Sequence, residues 1–331
     1  MKILDKLKQS NLAGRGGAGF PTHLKWQSTQ QALGSPKYVI CNASEGEPLI
    51  NKDFYILKNF PEQVFLGMKV AMDFLESRQA YLNIQRPYYQ KLKKILDTLI
   101  IEYKKQGYQI EVFEEQPSYI GGEETALLNA IEGKRVEPRH KPPYPSEFGL
   151  FGKPTLIHNV ETLFYIAAIA QGKFEPLQFI SIVDINKTEN ILQIKEGMTV
   201  LEVLQTAKLI PQCEYFVHIF GGASGLVLNS KQIMTQKMHG FGSIIIYSAA
   251  LEAKDLLLQW FEFYKNESCG KCTPCREGTY QLYQLLQSNN SIPWKEVMAI
   301  LETLEVTSFC ALGRALPVPV KSYYKNILCI G

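Results

Sequence analysis

The chain has 331 residues, enough for two or three domains, and its 46% hydrophobic and 20% charged residues are typical of a globular protein. A net charge of +3, with Lys residues scattered along the chain, argues against nucleic-acid binding. No apolar run approaches the roughly 20 residues of a membrane span. Seven Cys, an odd number, argue against a disulfide framework, and we expect a reducing, cytoplasmic compartment.

A glycine-rich loop follows a predicted amphipathic helix at residues 2–12. The loop, Gly14–Thr22, contains the pattern G-x-G-x-x-G. A dinucleotide-binding fingerprint would follow a strand and open a helix, whereas here a helix precedes the loop and Pro21 interrupts it, so that interpretation is rejected. The bare backbone would still let a flat or anionic ligand approach the amide groups, and a flexible surface turn is the alternative.

The next hundred residues alternate between strand and helix patterns. Predicted strands are Tyr38–Cys41, Gln79–Ile84 and Tyr108–Phe113, separated by predicted helices Pro61–Glu76 and Tyr88–Lys105. This alternation predicts an α/β layer with parallel pairing. A polar loop, residues 42–48, lies at the carboxyl end of the first strand, where open α/β sheets bind ligands.

Two further segments with polar patterns precede a change in the composition of the chain. The pair Gly121-Gly122 leads into a helix that ends near Ile131, which favours either anion binding or simple helix capping. The Pro-rich, basic loop Lys134–Pro145 is too long for a mere connector and is predicted to be functional. A helix is predicted at Thr155–Ala170.

Composition then shifts to short alternating strands and finally to helices. The strands are predicted at Phe179–Asp184, Ile191–Lys195, Phe216–Phe220 and Ser243–Tyr247, with one helix at Val200–Ala207. They predict a small β-grasp domain. Helices are predicted at Ala249–Lys265, Glu277–Gln287, Trp294–Leu304 and after Ser308, enough for a four-helix bundle. The predicted domains are residues 1–173, 174–248 and 249–331.

Three closely spaced thiols mark the last domain. Cys269, Cys272 and Cys275 are too close together for unstrained mutual disulfides. A C-x2-C-x2-C run with one distant Cys, here Cys310, is typical of a [4Fe–4S] cluster. A four-thiolate zinc site or three structural thiols are the alternatives. The isolated Cys41 and Cys213 are predicted to be small buried hydrophobes.

In this order the motifs resemble one family. They are GRGGAGFPT (14–22), CNASEGEP (41–48), YIGGEETALLNAIEGKR (119–135), PRHKPPYP (138–145), GKPTLIHNVETL (152–163), ESCGKCTPCREG (267–278) and SFCALG (308–313). The chain resembles, from Gly14 to about Pro319, the NADH-oxidising flavoprotein subunit of respiratory complex I. The same module occurs in NAD-linked hydrogenases and formate dehydrogenases.

The resemblance implies a fold, cofactors and site residues. The fold would be α/β, with a Rossmann-like flavin-binding domain, a β-grasp (ubiquitin-like, SLBB-like) domain and a helical bundle that holds a [4Fe–4S] cluster. FMN would contact Gly14, Arg15, Gly16, Gly17, Lys25, Asn42, Glu45, Gly122, Glu123, Asn159 and Thr162. NAD(H) would stack between Phe20 and Tyr144, with Glu47, Glu124 and Lys141 near its ribose and nicotinamide. Cys269, Cys272, Cys275 and Cys310 would ligate the cluster.

Three positions depart from the family pattern. Ser44 replaces an Asp in the Asn-Ala-Asp-Glu loop, His158 replaces the first Asn of an Asn-Asn pair, and Ser28 replaces a Phe of the adenine pocket. We expect these changes to affect the flavin's affinity or potential and, more strongly, nicotinamide specificity.

The resemblance implies an NADH dehydrogenase subunit that passes electrons through FMN to the cluster and on to partners. The expected partners are a small [2Fe–2S] subunit and a larger Fe–S subunit, with no nucleic acid and no direct membrane insertion. We expect a location in the cytoplasm or on the cytoplasmic face of a membrane complex. The alternatives are a flavin subunit of an NAD(P)-linked hydrogenase or formate dehydrogenase, and a cluster-bearing scaffold without nucleotide binding.

Overall fold

The structure is a computed structural model that describes residues 2–288 and 290–329. Contacts between residues divide the chain into two compact units. The first consists of the chain up to Gly46 together with Asn51–Leu177, and the second of Glu47–Ile50 together with the chain from Gln178 onwards. The short segment Glu47–Ile50 is therefore assigned by its contacts to the second unit.

The first unit contains a four-stranded parallel sheet. Its strands are β1 (Tyr38–Ala43), β2 (Gln79–Gln85), β3 (Gln109–Glu115) and β4 (Thr155–Asn159), in the order β3–β2–β1–β4. Asn42 of β1 pairs in register with Asn83 of β2 and Asn159 of β4. Polar residues thus lie side by side near the carboxyl ends of three strands, and the predicted parallel α/β layer is confirmed.

Seven α-helices of the described residues accompany this sheet. They are α1 (Ile3–Ser10), α2 (Thr22–Gln31), α3 (Lys52–Asn59), α4 (Pro61–Phe74), α5 (Arg86–Lys105), α6 (Glu124–Ile131) and α7 (Val160–Gln171). The α4 and α7 backbones lie close together because Gly67 has no side chain: a Cβ there would collide with the carbonyl group of Leu163. Helices α2 and α3 were missing from the sequence prediction.

The prediction of one helix over Thr155–Ala170 is wrong in its first five residues. Those residues form β4, which pairs with β1 in parallel, and the helix begins only at Val160. Leu156 and Ile157 are buried by their place in the sheet. Asn159 ends the strand and caps the helix, since its side chain accepts a hydrogen bond from the Glu161 backbone N–H.

The second unit contains a five-stranded mixed sheet. Its strands are β5 (Leu177–Val183), β6 (Glu189–Lys195), β7 (Tyr215–Ile219), β8 (Leu226–Leu228) and β9 (Ser243–Ser248), in the order β6–β5–β9–β7–β8. Strand β9 is parallel to β5 and antiparallel to β7. Helix α8 (Val200–Ala207) begins at a capping box between Thr199 and Glu202 and matches its predicted bounds. Strand β8 was not predicted.

The rest of the second unit is helical, as predicted. The helices are α9 (Ala253–Glu267), α10 (Thr273–Ser288), α11 (Trp294–Thr307), α12 (Ala311–Ala315) and α13 (Pro317–Tyr323), followed by a π-helical turn at Tyr324–Leu328. None of the helices in the described part of the chain is long and apolar enough to cross a membrane. Cys41 is buried as predicted, whereas Cys213 is exposed, so the prediction for Cys213 is wrong.

Candidate functional site

The glycine-rich loop is anchored to the start of α7. The Gly14 N–H donates to the Phe20 carbonyl at 2.9 Å, which closes the loop on itself. The Arg15 N–H donates to Thr162 Oγ1 at 2.9 Å, and both residues are buried. These bonds fix the loop beside the end of β4.

Two glycines of this loop differ in their surroundings. A Cβ at Gly16 would lie 3.1 Å from the Cβ of Asn159, so the backbone is already packed against that side chain. Gly17 has φ of +106°, and a Cβ built on it would meet no atom of the described residues within 4 Å. A side chain at Gly17 would therefore project from a strained backbone into open space. This face of the loop is free for a ligand.

A second loop follows β1 and touches the start of α6. Asn42 Nδ2 donates to the Gly122 carbonyl at 2.9 Å, and a Cβ at Gly122 would lie 2.9 Å from the Ser44 carbonyl oxygen. Glu45 is buried and accepts from the Asp53 backbone N–H at 2.8 Å. The Ser44 hydroxyl is buried without a hydrogen-bond partner in the described part of the chain, which marks a polar position available to a ligand or water.

Four charged side chains form a cluster at the start of α6, which we call the lysine–glutamate cluster: Lys25, Glu123, Glu124 and Lys141. Lys141 Nζ donates to Glu123 Oε1 at 2.8 Å and to Glu124 Oε1 at 2.9 Å. Lys25 Nζ donates to Glu124 Oε2 at 3.0 Å and to the Ile157 carbonyl at 2.9 Å. Each of these side chains is 19–29% exposed, so the cluster is within reach of a ligand.

Electrostatic interactions keep Glu124 and Lys141 of this cluster ionised. Burial alone would raise the pKa of the Glu124 carboxyl, but the ammonium groups of Lys25 and Lys141 lower it to about 2. Partial burial would lower the pKa of Lys141, but Glu124 and Glu123 raise it above its ordinary value. Glu123 also caps α6 by accepting from the N–H groups of residues 125 and 126, each at 2.9 Å.

Phe20 and Tyr144 are both solvent-exposed aromatic residues of the first unit. The exposed fraction is 52% for Phe20 and 53% for Tyr144. Single exposed aromatic residues are ordinary on protein surfaces, but exposed rings can also stack on a planar ligand. Their exposure is consistent with the adenine-stacking role that the resemblance implies.

A second charged set, fully buried, was missed by the sequence prediction. We call it the buried charge group: Lys52, Asp53 and Glu161. Lys52 Nζ lies 2.7 Å from Glu161 Oε2 and 3.2 Å from Asp53 Oδ1. The side chains of Lys52 and Glu161 have no exposed surface, and that of Asp53 is 4% exposed.

Lys52 remains charged in the buried charge group because carboxylates surround it. Burial alone would lower the pKa of Lys52, but the carboxylates of Asp53, Glu161 and Glu45 raise it above its ordinary value. The only sequence clue was position: Lys52 and Asp53 closely follow the loop after β1, and Glu161 stands two residues after Asn159.

The departures His158 and Ser28 both form hydrogen bonds within the first unit. The Trp26 Nε1–H donates to His158 Nε2 at 2.8 Å. Because indole nitrogen only donates, the proton of the neutral imidazole lies on Nδ1. Burial, reinforced by the charge of Lys25, holds the pKa of His158 well below its ordinary value. The Ser28 hydroxyl donates to the Ser146 hydroxyl at 3.0 Å.

Unlike the other predicted flavin and nicotinamide residues, Glu47 is assigned by its contacts to the second unit. Its Oε2 accepts from the backbone N–H groups of Gly222 at 2.8 Å and Ala223 at 3.0 Å. The Ser224 hydroxyl also donates to this carboxylate. Successive backbone N–H groups of this kind form an anion-binding concavity, which here is filled by the protein's own carboxylate.

The four predicted cluster ligands are electrostatic neighbours in the second unit. Burial, together with the nearby thiols of Cys272, Cys310 and Cys269, raises the pKa of Cys275 to about 12, although Ser268 opposes the rise. Ser268 Oγ lies 3.4 Å from Cys275 Sγ. Among the residues that the structure describes, no three His, Cys, Asp or Glu side chains are arranged as a metal-binding set. The ligand assignment therefore stays a prediction.

The residues present fit the groups that the resemblance implies. For FMN, the Gly17 face is open and the Ser44 hydroxyl is a buried polar group without a protein partner among the described residues. For an iron–sulfur cluster, four neighbouring thiols are the ligand set that such clusters use.

Two family models match the chain. The "Nuo51 FMN-binding domain" matches residues 7–168, and the "NADH-ubiquinone oxidoreductase-F iron-sulfur binding region" matches residues 255–327. They support FMN, NADH and a [4Fe–4S] cluster as the cofactors, with the flavin region in the first unit and the iron–sulfur region in the second.

The chain is similar to curated relatives and to solved structures over almost its whole length. It is 33% identical to the F subunit of the NADH-quinone oxidoreductase of Aquifex aeolicus over 94% of this chain and 81% of the relative. It is 29% identical to the NAD-reducing hydrogenase HoxS subunit alpha of Cupriavidus necator over 96% of this chain and 58% of the relative. A crystal structure of NAD+-reducing [NiFe]-hydrogenase in the air-oxidised state matches with a TM-score of 0.91 at 26% identity.

The extent of these matches differs. The match to the hydrogenase chain includes 99% of this chain but only 61% of the hydrogenase chain. It covers 81% of the Aquifex aeolicus protein at 33% identity. The chain therefore belongs to the family of NADH-quinone oxidoreductase F subunits.

Proposed function

We propose that this chain oxidises NADH at a flavin site in its first unit and delivers the electrons singly to a bound [4Fe–4S] cluster. The main observation behind the proposal is that three segments meet at the carboxyl edge of the parallel sheet. They are the glycine-rich loop, the loop after β1 and the start of α6. When bound, FMN supplies the conversion of a hydride into single electrons, and the cluster supplies a one-electron acceptor.

The flavin is proposed to lie against the loop of Gly14, Arg15, Gly16 and Gly17. The hydrogen bond from Arg15 to Thr162 keeps this backbone in place, and the open Gly17 face leaves room for a flat ring. Polar side chains around it are proposed to bond its phosphate, ribityl chain and ring edge: Lys25, Asn42, Glu45, Gly122 through its backbone, Glu123, Asn159 and Thr162. Orientation by such fixed groups sets the donor–acceptor geometry.

NADH is proposed to stack its adenine between the exposed rings of Phe20 and Tyr144. Glu124 and Lys141 are proposed to bind near its ribose and nicotinamide, supported by their partial exposure in the lysine–glutamate cluster. Glu47 is proposed to lie near the same part of the nucleotide, with its orientation fixed by the N–H groups of residues 222–224. These residues bind and orient; none is needed as a nucleophile.

Cys269, Cys272, Cys275 and Cys310 are proposed to ligate the [4Fe–4S] cluster. Their electrostatic proximity and the C-x2-C-x2-C spacing support this assignment. The later part of the chain is proposed to form a β-grasp domain, residues 174–248, and a four-helix bundle, residues 249–331. The mixed sheet with α8 supports the first, and the succession of α9, α10 and α11 supports the second.

A second candidate function runs in the opposite direction. The likeness to an NAD+-reducing hydrogenase chain favours a flavin subunit that reduces NAD+ with electrons from a hydrogenase or formate dehydrogenase partner. In either direction the expected partners are a small [2Fe–2S] subunit and a larger Fe–S subunit. We propose that the chain attaches peripherally, on the cytoplasmic side, to any membrane complex it serves.

The test is an anaerobic visible spectrum of the purified chain during titration with NADH. We expect a flavin band that bleaches, together with broad cluster absorption. The variant Gly17→Val should lose FMN and keep the cluster, whereas Cys272→Ser should lose the cluster and keep FMN. Cluster absorption without flavin in the wild-type chain would favour the scaffold and overturn the proposal. Co-purification with a hydrogenase-type or a quinone-reducing partner would separate the two directions.

A further inference from the structure

The buried charge group holds Asn159 at both ends of its amide. Asn159 Oδ1 accepts from the Glu161 backbone N–H at 2.9 Å, and its Nδ2–H donates to Asp53 Oδ2. An amide turned by 180° would place its N–H2 against the Glu161 N–H and its oxygen against the Asp53 carboxylate, so only one orientation is compatible. Lys52 stabilises this arrangement because it pairs with both carboxylates.

The same group also supports a second residue of the proposed flavin site. The Asp53 backbone N–H donates to Glu45 Oε2 at 2.8 Å, and Glu45 in turn follows β1 by two residues. A Cβ at Gly16 would lie 3.1 Å from Asn159, so the glycine-rich loop rests directly on the oriented side chain. The buried charge group therefore contacts two residues of that proposed site, Asn159 and Glu45.

Burial strengthens the effect of these charges on neighbouring groups. Side chains that are 0–4% exposed are poorly screened, and pairwise electrostatic energies rise as the local dielectric constant falls. A fixed positive charge favours the addition of electrons to a neighbouring group, and a fixed negative charge opposes it. Lys52 and Glu161 should thus act on the flavin site with opposite signs.

We propose that Lys52 is a positioning residue of the flavin site, and that Lys52 and Glu161 together set the reduction potential of the bound FMN. This inference rests on the proposed function, since it needs FMN in the first unit. It goes beyond that function because neither residue contacts the proposed ligand: both act through Asn159, through Asp53 and through their own buried charge.

The experiment is an anaerobic redox titration of the flavin in the purified holoprotein, followed by its absorbance. Lys52→Met should make the FMN potential more negative, and Glu161→Gln should make it more positive. We expect each change to alter the ratio of affinities for reduced and oxidised FMN by about tenfold, which is about 30 mV for a two-electron couple. Lys52→Arg, which retains the charge, should stay near the wild-type potential.

A matched control uses an exposed ion pair of the same unit. Lys69 Nζ lies 2.6 Å from Asp73 Oδ2, but the two side chains are 31% and 40% exposed. Lys69→Met should leave the potential unchanged because solvent screens this pair. If the buried charge group had a purely structural role, the FMN potential would shift in the same direction in Lys52→Met and Glu161→Gln, or would not shift in either variant.

The outcomes separate this inference from the proposed function. A wild-type chain without FMN overturns the proposed function and this inference with it. FMN present in every variant at the wild-type potential, or shifts of equal sign, overturns the inference alone. If Lys52→Met does not fold, Glu161→Gln must still shift the potential upwards and Lys52→Arg must still preserve it; failure of either also overturns the inference.

Discussion

The two charged sets of the first unit use the same residue types in opposite environments. The lysine–glutamate cluster has side chains that are 19–29% exposed, whereas those of the buried charge group are 0–4% exposed. Hydrogen bonds in the first set can be exchanged for bonds to a ligand at little cost in desolvation. The second set cannot be reached without unfolding, so its charges can only organise the protein around them.

We expect this difference in exposure to separate ligand binding from the positioning of other residues at this edge of the parallel sheet. Lys25 and Glu124 are linked to β4 through the Ile157 carbonyl, and Asn159 links the same strand to the buried charge group. A side chain of each set is therefore hydrogen-bonded to a residue of β4. We expect substitutions in the buried charge group to alter stability first, and substitutions in the lysine–glutamate cluster to alter nucleotide binding first.

The largest effect should come from Lys52→Met. Removing one partner of a buried ion pair leaves an uncompensated charge, which typically costs about 3–5 kcal/mol in the free energy of unfolding. Urea denaturation, followed by circular dichroism, measures this change. The paired variant Lys52→Met/Glu161→Met should recover only part of the loss, because it removes one unpaired buried carboxylate but leaves that of Asp53 without its cation. A Lys52→Met variant as stable as the wild type would contradict the pairing seen in the structure.

The strands of the first unit were predictable because their pattern is local. Tyr38–Cys41 is a short apolar run, its two parallel neighbours mix apolar with polar residues, and the structure confirms all three strands. Strand β4 was not separable from α7, because Thr155–Asn159 continues without a turn signal into an apolar helix. Only the parallel register with β1, a long-range property, distinguishes the two.

Sequence motifs indicated part of the candidate site, but they did not indicate the charges that pair at a distance. The glycine-rich loop and the start of α6 were identified from their residues and the family resemblance. Lys52 and Glu161 are 109 positions apart, and nothing in a single sequence indicates that two such opposite charges meet in the interior. Acidic and basic residues beside a loop are usually exposed to solvent, so the buried charge group was not predicted from the sequence.

The second-largest effect should be on stability at acidic pH, and it depends on Glu124. Its pKa is lowered to about 2 in the folded chain, against about 4.3 for an ordinary Glu. A lowered folded-state pKa contributes stability that is complete above the ordinary pKa and lost as the pH falls towards 2. The difference in unfolding free energy between the wild type and Glu124→Gln should therefore be constant from about pH 8 to 5 and shrink by roughly 1–3 kcal/mol below it. A difference that changed steadily between pH 8 and 6 would contradict this assignment.

The third effect is on nucleotide binding. Glu124→Gln replaces a carboxylate that accepts from Lys25 and Lys141 by an amide that cannot accept at both ends. A lost hydrogen bond between charged groups costs about 1.5–3 kcal/mol, so the KM for NADH should rise about tenfold or more while flavin content stays constant. Glu62→Gln, at an exposed position in the first turn of α4, is the control. Equal KM values for the two variants would remove Glu124 from the nucleotide site.

The smallest effect should come from Lys69→Met, which tests whether exposure, rather than pairing as such, separates the two charged sets. The Lys69–Asp73 pair has a contact of 2.6 Å, shorter than that of Lys52 with Glu161, so distance alone would rank it as the stronger pair. Its side chains are 31% and 40% exposed, and exposed pairs at this helical spacing contribute only about 0.3–0.5 kcal/mol. Urea denaturation at low and high salt should therefore give an unfolding free energy within about 0.5 kcal/mol of the wild type, with the difference vanishing at high salt. A loss comparable to that of Lys52→Met would mean that burial does not determine the strength of these pairs. The separation of binding from positioning would then fail as well, because it depends on solvent weakening the one set and not the other.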